Sequence, residues 1–274
     1  MTDMSPPDDV LAFYGTGIEA DRLARGDGAL EFERTKEILS RFLPSAGRVA
    51  DVGGGTGRYA DWLVEQGHEV DVVEPVPLHL DLARKRAGEP PRFRVHSADA
   101  RKLPFGDGSF DAVLVLGPLY HLGESTDRAK ALAEAARVCR PGAVIAAAAI
   151  SRYAPLLDSL RRGLFVDPDV FDNVRVETER GRRVPPERRR APFPDAYFHL
   201  PEELEAELAQ AGLAVEGVFA VQGLTFISSE LDAAWENEPL RERLLEAARL
   251  TEADPFTRAV TGHLLGVGRK PFAG

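Results

Sequence analysis

Short apolar runs alternate with amphipathic segments along residues 45–150. Strands are predicted at 48–52, 69–73, 93–96, 110–116 and 143–150, where apolar runs are bounded by polar or turn residues. Helices are predicted between them at 59–66, 78–87 and 127–138, where apolar residues recur at helical spacing. Because parallel strands are connected through helices, this alternation predicts an α/β fold with a doubly wound, mostly parallel sheet.

The regular alternation stops after residue 150. Residues 1–15 show no regular pattern, and 17–43 are predicted to be helical with a break near Gly26. Helices are also predicted at 154–164, 201–210 and 230–250, and strands at 213–222 and 263–268. The two strands bring the predicted sheet to seven. Residues 165–200, rich in Pro and Arg, are predicted to be irregular.

The composition narrows the class of protein. The chain carries 34 basic and 44 acidic side chains, a net charge of −10, whereas general nucleic-acid binders present a basic face. Cys139 is the single cysteine, so no intrachain disulfide can form and a reducing compartment is expected. The longest apolar run, 143–150, is shorter than the ~20 residues that span a bilayer, and the acidic start lacks signal-peptide features. We therefore expect a cytoplasmic protein that binds neither membranes nor nucleic acids.

A glycine-rich turn joins the first predicted strand to the helix that follows. It reads Gly53-Gly54-Gly55-Thr56-Gly57 and comes directly after Asp51 and Val52. Ligands of parallel sheets bind beyond the carboxyl ends of the strands, where such a turn offers N–H groups and the positive end of a helix. The spacing differs from the Gly-x-Gly-x-x-Gly of nicotinamide and flavin enzymes and from a phosphate-binding loop. Alone, the turn is equally a plain tight turn in which Asp51 satisfies loop N–H groups.

Three later features follow the same edge of the predicted sheet. Glu74, followed by Pro75, ends the second strand, where a carboxylate can accept both hydroxyls of a ribose. Asp99 and Ala100 follow the third strand, and the fourth strand runs through Leu116 into a Gly-Pro turn. Each has an ordinary alternative when taken alone, since Glu74 can be a solvated acid and Asp99 a helix cap.

In this order, the four features resemble the class I S-adenosylmethionine-dependent methyltransferases over residues 45–150. The resemblance implies that S-adenosylmethionine binds at the turn and leaves as S-adenosylhomocysteine. It also implies that the last strand of the sheet is antiparallel. The cofactor contacts implied are the methionine part on Asp51, Gly53, Gly54, Gly55 and Gly57, the ribose on Glu74 and Pro75, the adenine on Asp99 and Ala100, and the amino group on backbone near Leu116.

The resemblance also implies a division of the chain into four parts. Residues 1–44 would be an N-terminal helical cover and 45–150 the cofactor-binding core. Residues 151–212 would be a substrate-facing insert and helix, and 213–274 would complete the sheet. Tyr14, with Glu19 and Arg22 nearby, would touch the cofactor from the cover.

Methyl transfer from a sulfonium is an in-line displacement in which positioning matters most, and a base is needed only for a protonated acceptor. Candidates for catalysis are Tyr120 and His121, beyond the fourth strand, and His199. Tyr197 and Phe198 are candidates for contact with the substrate. Each has a structural alternative, because a histidine can be buried and satisfied and aromatic residues before a helix can be staples. The arginines at 180–190 are either a solvated loop or a patch for an acidic group.

The turn after the fourth strand limits the acceptor. It reads Gly117-Pro118-Leu119-Tyr120, without the acceptor side chain and proline pair of relatives that methylate exocyclic amines of nucleobases. Residues 116–122 hold no carboxylate, whereas catechol-type relatives use a carboxylate cluster for a divalent cation. We therefore expect a metal-independent enzyme with a small-molecule acceptor, methylated on O, N or C. A lyase or cyclase that uses the sulfonium as a leaving group, and a non-catalytic binding protein, are the alternatives.

Overall fold

The computed structural model describes residues 8–17, 22–189 and 193–272. One mixed sheet runs through it in the order β3-β2-β1-β4-β5-β8-β7. Its strands are β1 (Arg48–Val52), β2 (Glu69–Glu74), β3 (Arg94–Ser97), β4 (Phe110–Val115), β5 (Cys139–Ser151), β6 (Phe198–His199), β7 (Ala214–Ala220) and β8 (His263–Arg269). Strands β1 to β5 are parallel, and β8 is antiparallel to both β5 and β7. The predicted fold class, with its antiparallel last strand, is confirmed.

The predicted count of seven strands was short by one. Residues Phe198–His199 form β6, which pairs with the far end of β5 through Ile150 and Ser151. Strand β5 has a free edge there because its pairing with β4 ends at Ala147, while β5 itself continues to Ser151. A two-residue strand carries no recognisable period, so the sequence offered no signal for it.

Helices cover both faces of the sheet. They are α1 (Asp8–Gly15), α2 (Gly26–Leu39), α3 (Arg58–Glu65), α4 (Pro77–Ala87), α5 (Ser125–Val138), α6 (Ala154–Arg161), α7 (Pro168–Arg180), α8 (Pro201–Gln210), α9 (Leu231–Trp235) and α10 (Glu238–Thr251). Leucines of α5 and α8 are fully buried on one face, and Ile38, Leu39 and Leu63 of α2 and α3 on the other. None of the helices in the described ranges is long and apolar enough to cross a membrane.

The structure corrects the sequence-based prediction at three helices. Helix α1 forms where no regular pattern was visible, and α7 forms within the stretch predicted to be irregular. The local signals for α7 were present, because Asp167 caps its first turn and Gly181 ends it with φ of +67°. The single helix predicted at 230–250 is two helices, since the Asn237 side chain accepts from the Leu240 N–H and starts α10 anew.

Candidate functional site

A cleft lies over the carboxyl ends of β1, β2 and β4, and α1 covers it. Most of the residues predicted for cofactor binding and catalysis line it together. They are Tyr14, Asp51, Gly53, Gly54, Gly55, Glu74, Pro75, Asp99, Ala100, Leu116, Tyr120 and His121. Gly57, Tyr197, Phe198 and His199 do not line the cleft.

The glycine turn lines the cleft and packs closely against β2 and against the turn after β4. The Gly53 N–H donates to the Val73 carbonyl at 2.7 Å, which ties the turn to β2. A Cβ on Gly53 would stand 2.6 Å from Cδ of Pro118, so the turn after β4 can lie directly on it. At Gly55 the added Cβ would meet only Nδ1 of His79, at 3.9 Å. The backbone at Gly55 therefore faces open space in the cleft.

Gly57 has a different place from the one expected. It is the N-cap of α3 with φ of +81°, and an added Cβ would stand 2.9 Å from the Phe93 ring. Its glycine is required by helix entry and by packing against β3, outside the cleft. Gly57 thus lies outside the lining of the cleft, and its contact with the methionine part stays a prediction.

Glu74 is fixed by two backbone groups. Its Oε2 accepts from the Gly55 N–H and its Oε1 from the Val76 N–H, both at 2.9 Å. Burial raises the pKa of this carboxyl to about 7, although both hydrogen bonds act in the opposite direction. A carboxylate has about four lone-pair sites, so two remain for a ligand.

Asp51 is a buried carboxylate with no partner. It is fully buried at the end of β1, and across the described ranges neither of its oxygens accepts a hydrogen bond. Burial and the nearby charge of Glu74 raise its pKa to about 7. The alternative that Asp51 satisfies loop N–H groups is therefore wrong. A buried carboxylate without a donor is costly, so Asp51 fits a ligand that brings a cationic or hydrogen-bonding group.

Asp99 lines the cleft from the third strand and is held by its neighbour Arg101. The Asp99 carboxylate accepts from the backbone N–H and the guanidinium of Arg101 at 2.8–3.0 Å. Arg101 also donates to Asp127 at 2.9 Å, which anchors the pair to α5. This arrangement fixes the direction of the carboxylate at the wall of the cleft.

His121 is the best-placed candidate base. It lies with Tyr120 in the short turn Leu119–His121, beyond β4. Its Nδ1 is 3.2 Å from the carbonyl oxygen of Asp195, and its Nε2 is 2.7 Å from the hydroxyl of Tyr14. Because a carbonyl oxygen only accepts, the proton is assigned to Nδ1, and Nε2 accepts from the Tyr14 hydroxyl. Burial lowers the pKa of His121 to about 4, so the ring is neutral near pH 7.

Tyr197 and Phe198 were expected to contact the substrate and His199 to act in catalysis, but the structure places all three outside the lining of the cleft. His199 is fully buried with Nε2 3.2 Å from Glu207, and the guanidinium of Arg128 stacks 3.8 Å from the Tyr197 ring centroid. Phe198 is buried beside Ile150. The physical reason is that β6 pairs with β5, which brings Tyr197 against Arg128 of α5 and His199 against Glu207 of α8.

The same segment still supports the turn Leu119–His121 through hydrogen bonds. The Tyr197 N–H donates to the Tyr120 carbonyl at 2.8 Å. Arg128 donates to the carbonyls of Leu122 and Gly123 at 2.9 and 3.0 Å. The turn that carries His121 is thus held by backbone hydrogen bonds from two sides, an arrangement that no local sequence signal indicates.

Helix α1 covers the cleft with Val10 and Tyr14. Asp9 anchors it by accepting from Arg189 at 3.0 Å and from the Asp195 N–H at 2.8 Å. The Phe13 ring meets Phe193 edge-on at 5.6 Å. Arg22 also lines the cleft, where it forms a bidentate pair with Glu31, and Glu19 lies outside the described residues.

No described residue of the insert lines the cleft, but Phe193 and Asp195 contact His121, which does. Its aromatic residues Tyr153, Phe165 and Phe171 are 38–45% exposed. Four arginines of the 180–190 stretch pair with acids, and two of them, Arg182 and Arg188, are also exposed to solvent. These pairs are Arg182 with Glu124, Arg183 with Glu177, Arg188 with Asp172 and Arg189 with Asp9. Arg190 lies outside the described residues.

The sequence reasoning missed His79 and Glu31. Both are buried and line the cleft, His79 from the first turn of α4 and Glu31 from α2. A histidine five residues after Glu74, in the first turn of the helix that follows β2, was the available signal for His79. Glu31 had none, because its contact with Arg22 depends on how the N-terminal turn folds back.

Known proteins resemble this chain in sequence and in fold. Residues 50–147 match the family model described as a methyltransferase domain. An uncharacterized methyltransferase of Mycobacterium tuberculosis is 39% identical over 107 residues, which are 39% of this chain and 41% of that protein. A demethylmenaquinone methyltransferase of Deinococcus radiodurans is 41% identical over 98 residues, 35% of this chain and 39% of that protein. The match thus spans about two fifths of these relatives.

The solved structures extend the likeness in fold to almost the whole chain. A Thermotoga maritima protein described as a SAM-dependent methyltransferase, possible histamine N-methyltransferase, superposes with a TM-score of 0.60 and 21% identity. The superposition covers 96% of this chain and 98% of that one. Residues 50–147 thus match the family model of a methyltransferase domain, and almost the whole chain shares the fold of the Thermotoga maritima structure.

Proposed function

We propose that this chain transfers a methyl group from S-adenosylmethionine to a small-molecule acceptor. The observation that carries the proposal is the pair of buried carboxylates, Asp51 and Glu74, at the ends of adjacent strands. Both line one cleft, and both have lone pairs that the described protein atoms leave unused. S-adenosylmethionine brings an ammonium group and a ribose diol, which are the donors that such carboxylates need.

In this proposal, the parts of the cofactor bind along the cleft. Glu74 and Pro75 hold the ribose, while Asp51 and the turn Gly53–Gly55 hold the methionine part. Asp99 and Ala100 contact the adenine, and the backbone near Leu116 accepts from the amino group. Tyr14 shields the site from α1. When bound, the cofactor supplies an electrophilic methyl group, and the buried walls exclude water from it.

The acceptor is proposed to bind between Tyr14 and the turn that carries Tyr120 and His121. The walls on this side are mostly apolar, with Val10, Leu23 and Pro118 lining the same cleft. A neutral, largely apolar molecule with one proton-bearing heteroatom suits such a wall. The net charge of −10 disfavours a polyanionic acceptor.

His121 is proposed to take the proton of that heteroatom. Its Nε2 accepts from the hydroxyl of Tyr14, which also lines the cleft, and the Asp195 carbonyl fixes the tautomer through Nδ1. The acceptor group replaces the Tyr14 hydroxyl on Nε2, so the proton moves to Nε2 as the methyl group is transferred. Tyr120 packs against the ring at 4.6 Å and orients it.

The reaction products test the proposed function directly. The protein is incubated with S-adenosylmethionine and a metabolite extract, and the sulfur-containing products are identified by mass spectrometry. We expect S-adenosylhomocysteine that depends on the extract. Methylthioadenosine in its place would establish a lyase or cyclase. The absence of both products would indicate a non-catalytic binding protein.

Metal independence is tested in the same assay. No group of three or more His, Cys, Asp or Glu side chains within the described ranges is arranged to hold a metal ion. We therefore expect turnover to be unchanged by EDTA and by added magnesium. A loss of turnover in EDTA that magnesium restores would contradict this part of the proposal.

The role of His121 predicts a selective loss of turnover. In His121→Asn, kcat should fall by about 10²–10⁴-fold, the usual contribution of a general base. The affinity for S-adenosylhomocysteine, measured by calorimetry, should change little. Tyr14→Phe is the matched control, since it removes the hydroxyl on Nε2 but leaves the base. An unchanged kcat in His121→Asn would make the histidine structural.

A further inference from the structure

His79 is a buried histidine of the cleft for which neither the family resemblance nor the proposed mechanism provides a role. It lies in the first turn of α4, and only 6% of its surface is exposed. Its Nε2 is buried and, within the described ranges, has no hydrogen-bond partner. Its Nδ1 lies on the side of Glu74 and Gly55, 3.8 Å from Glu74 Oε1. One nitrogen is thus sealed in protein and the other is next to a fixed carboxylate.

The position of the ring proton follows from this environment. Burial lowers the pKa of His79, so the ring is neutral near pH 7 and carries one proton. A buried N–H without a partner is rarer and more costly than an unused lone pair. A proton on Nδ1 leaves only a lone pair sealed at Nε2 and directs the N–H towards the side of Glu74. The Nδ1–H is therefore a donor next to an acceptor.

The spacing of these two atoms selects the group that fits between them. A separation of 3.8 Å is too long for a direct hydrogen bond. If a single hydroxyl oxygen lay about 2.8 Å from each atom, the angle Nδ1–oxygen–Oε1 would be roughly 85°, which a hydroxyl group can adopt. Such a hydroxyl donates its hydrogen to Glu74 and accepts from His79. A carbonyl or an ammonium group can make only one of these two bonds.

We propose that His79 is a second ribose-binding residue, which donates from Nδ1 to the cofactor hydroxyl that Glu74 accepts. The proposal rests on the proposed function, because it requires the ribose of S-adenosylmethionine in this cleft. It makes His79 a specificity-determining residue, since a ligand without that hydroxyl leaves both His79 and Glu74 without their partner. A purely structural His79 would instead only pack against the Tyr14 ring, which it meets edge-on at 5.3 Å.

Calorimetry with S-adenosylhomocysteine separates these two roles. His79→Leu should weaken binding by about threefold to tenfold, the range for one neutral hydrogen bond. His79→Asn should retain most of the affinity, because its amide N–H occupies nearly the position of Nδ1. His68→Leu is the matched control, since His68 is equally buried, has an unpartnered Nδ1 within the described ranges and does not line the cleft.

A deoxy ligand identifies the contact itself. We expect the 2′-deoxy or the 3′-deoxy analogue of S-adenosylhomocysteine to bind wild type more weakly than the parent ligand, and the difference to shrink by about threefold to tenfold in His79→Leu. Equal affinities of wild type and His79→Leu for the parent ligand would overturn the role of His79 alone. No binding of S-adenosylhomocysteine to wild type would overturn the proposed function. Thermal unfolding without ligand verifies that both leucine variants fold.

Discussion

Replacing Gly55 with valine is expected to abolish measurable binding of S-adenosylhomocysteine while the fold remains intact. An added Cβ at Gly55 meets only Nδ1 of His79, at 3.9 Å, so the valine side chain would project into the cleft. The Gly55 N–H also donates to Glu74, and a shift of the turn would release that carboxylate. Gly55→Ala should weaken binding less, because one methyl group fills less of the same space.

The matched control for this variant is Gly67→Val. Gly55 has φ of +55° and Gly67 has φ of +88°, so a side chain strains the backbone at both positions, by about 1–2 kcal/mol. An added Cβ at Gly67 meets nothing within 4 Å, and the residue lies between α3 and β2, away from the cleft. Thermal unfolding should therefore show a similar loss of stability in both variants, and only Gly55→Val should lose the ability to bind the ligand. Calorimetry that finds wild-type affinity in Gly55→Val would exclude the turn from the cofactor site.

The carboxyl-edge residues could be predicted because topology alone brings them together. Asp51, Glu74 and Asp99 each lie at or just after the end of a parallel strand, and the ends of neighbouring parallel strands meet at one edge. Locating them needed only the strand boundaries and the order along the chain. The lack of a hydrogen-bond donor to Asp51 could not be predicted, because it depends on where the folded turn directs its N–H groups.

The two histidines that follow aromatic residues show where local reasoning ends. His121 follows Tyr120, and His199 follows Tyr197 and Phe198, so both looked equally suited to the acceptor site. The difference between them is set by β6, which pairs with β5 some fifty residues earlier in the chain and buries His199. A pairing across such a separation leaves no mark in a local pattern.

The N-terminal cover stays a prediction, and the structure places the predicted Tyr14 and Arg22 in the lining of the cleft. The N-terminal stretch was expected to cover the cleft, but α1 itself was not predicted because a helix of eight residues is too short to show a clear helical period. Its anchor is Asp9, which joins Arg189 and the Asp195 N–H from the insert. Charged pairs between distant segments have many possible partners in a chain with 28% charged residues, so the sequence cannot select among them.

Asp51→Asn is expected to stabilise the ligand-free protein and to weaken cofactor binding. The folded state raises the pKa of Asp51 from 3.8 to about 7, so the protein loses stability as the pH rises from about 4 to 7, and asparagine avoids this loss. At pH 8 the variant should unfold at a higher temperature, with a gain of roughly 2–4 kcal/mol that disappears below about pH 4. Asp71→Asn is the opposite control, because Arg94, Arg48 and His96 lower the pKa of that buried carboxyl, and its loss should destabilise the protein at pH 8.

The same carboxyl groups make cofactor affinity depend on pH. Ligand donors require ionised Asp51 and Glu74, whose pKa values are both raised to about 7 in the free cleft. Binding should therefore release protons, and affinity should fall as pH decreases through 7. From pH 8 to pH 6 the Kd for S-adenosylhomocysteine should rise about tenfold for one titrating carboxyl and about a hundredfold for two.

In Asp51→Asn the affinity at pH 8 should be at least about tenfold weaker, because a charged hydrogen bond is lost. The remaining pH dependence of the affinity should come from the titration of Glu74 alone. Calorimetry at both pH values measures both effects, and an unaltered pH dependence in the variant would show that Asp51 does not face the cofactor.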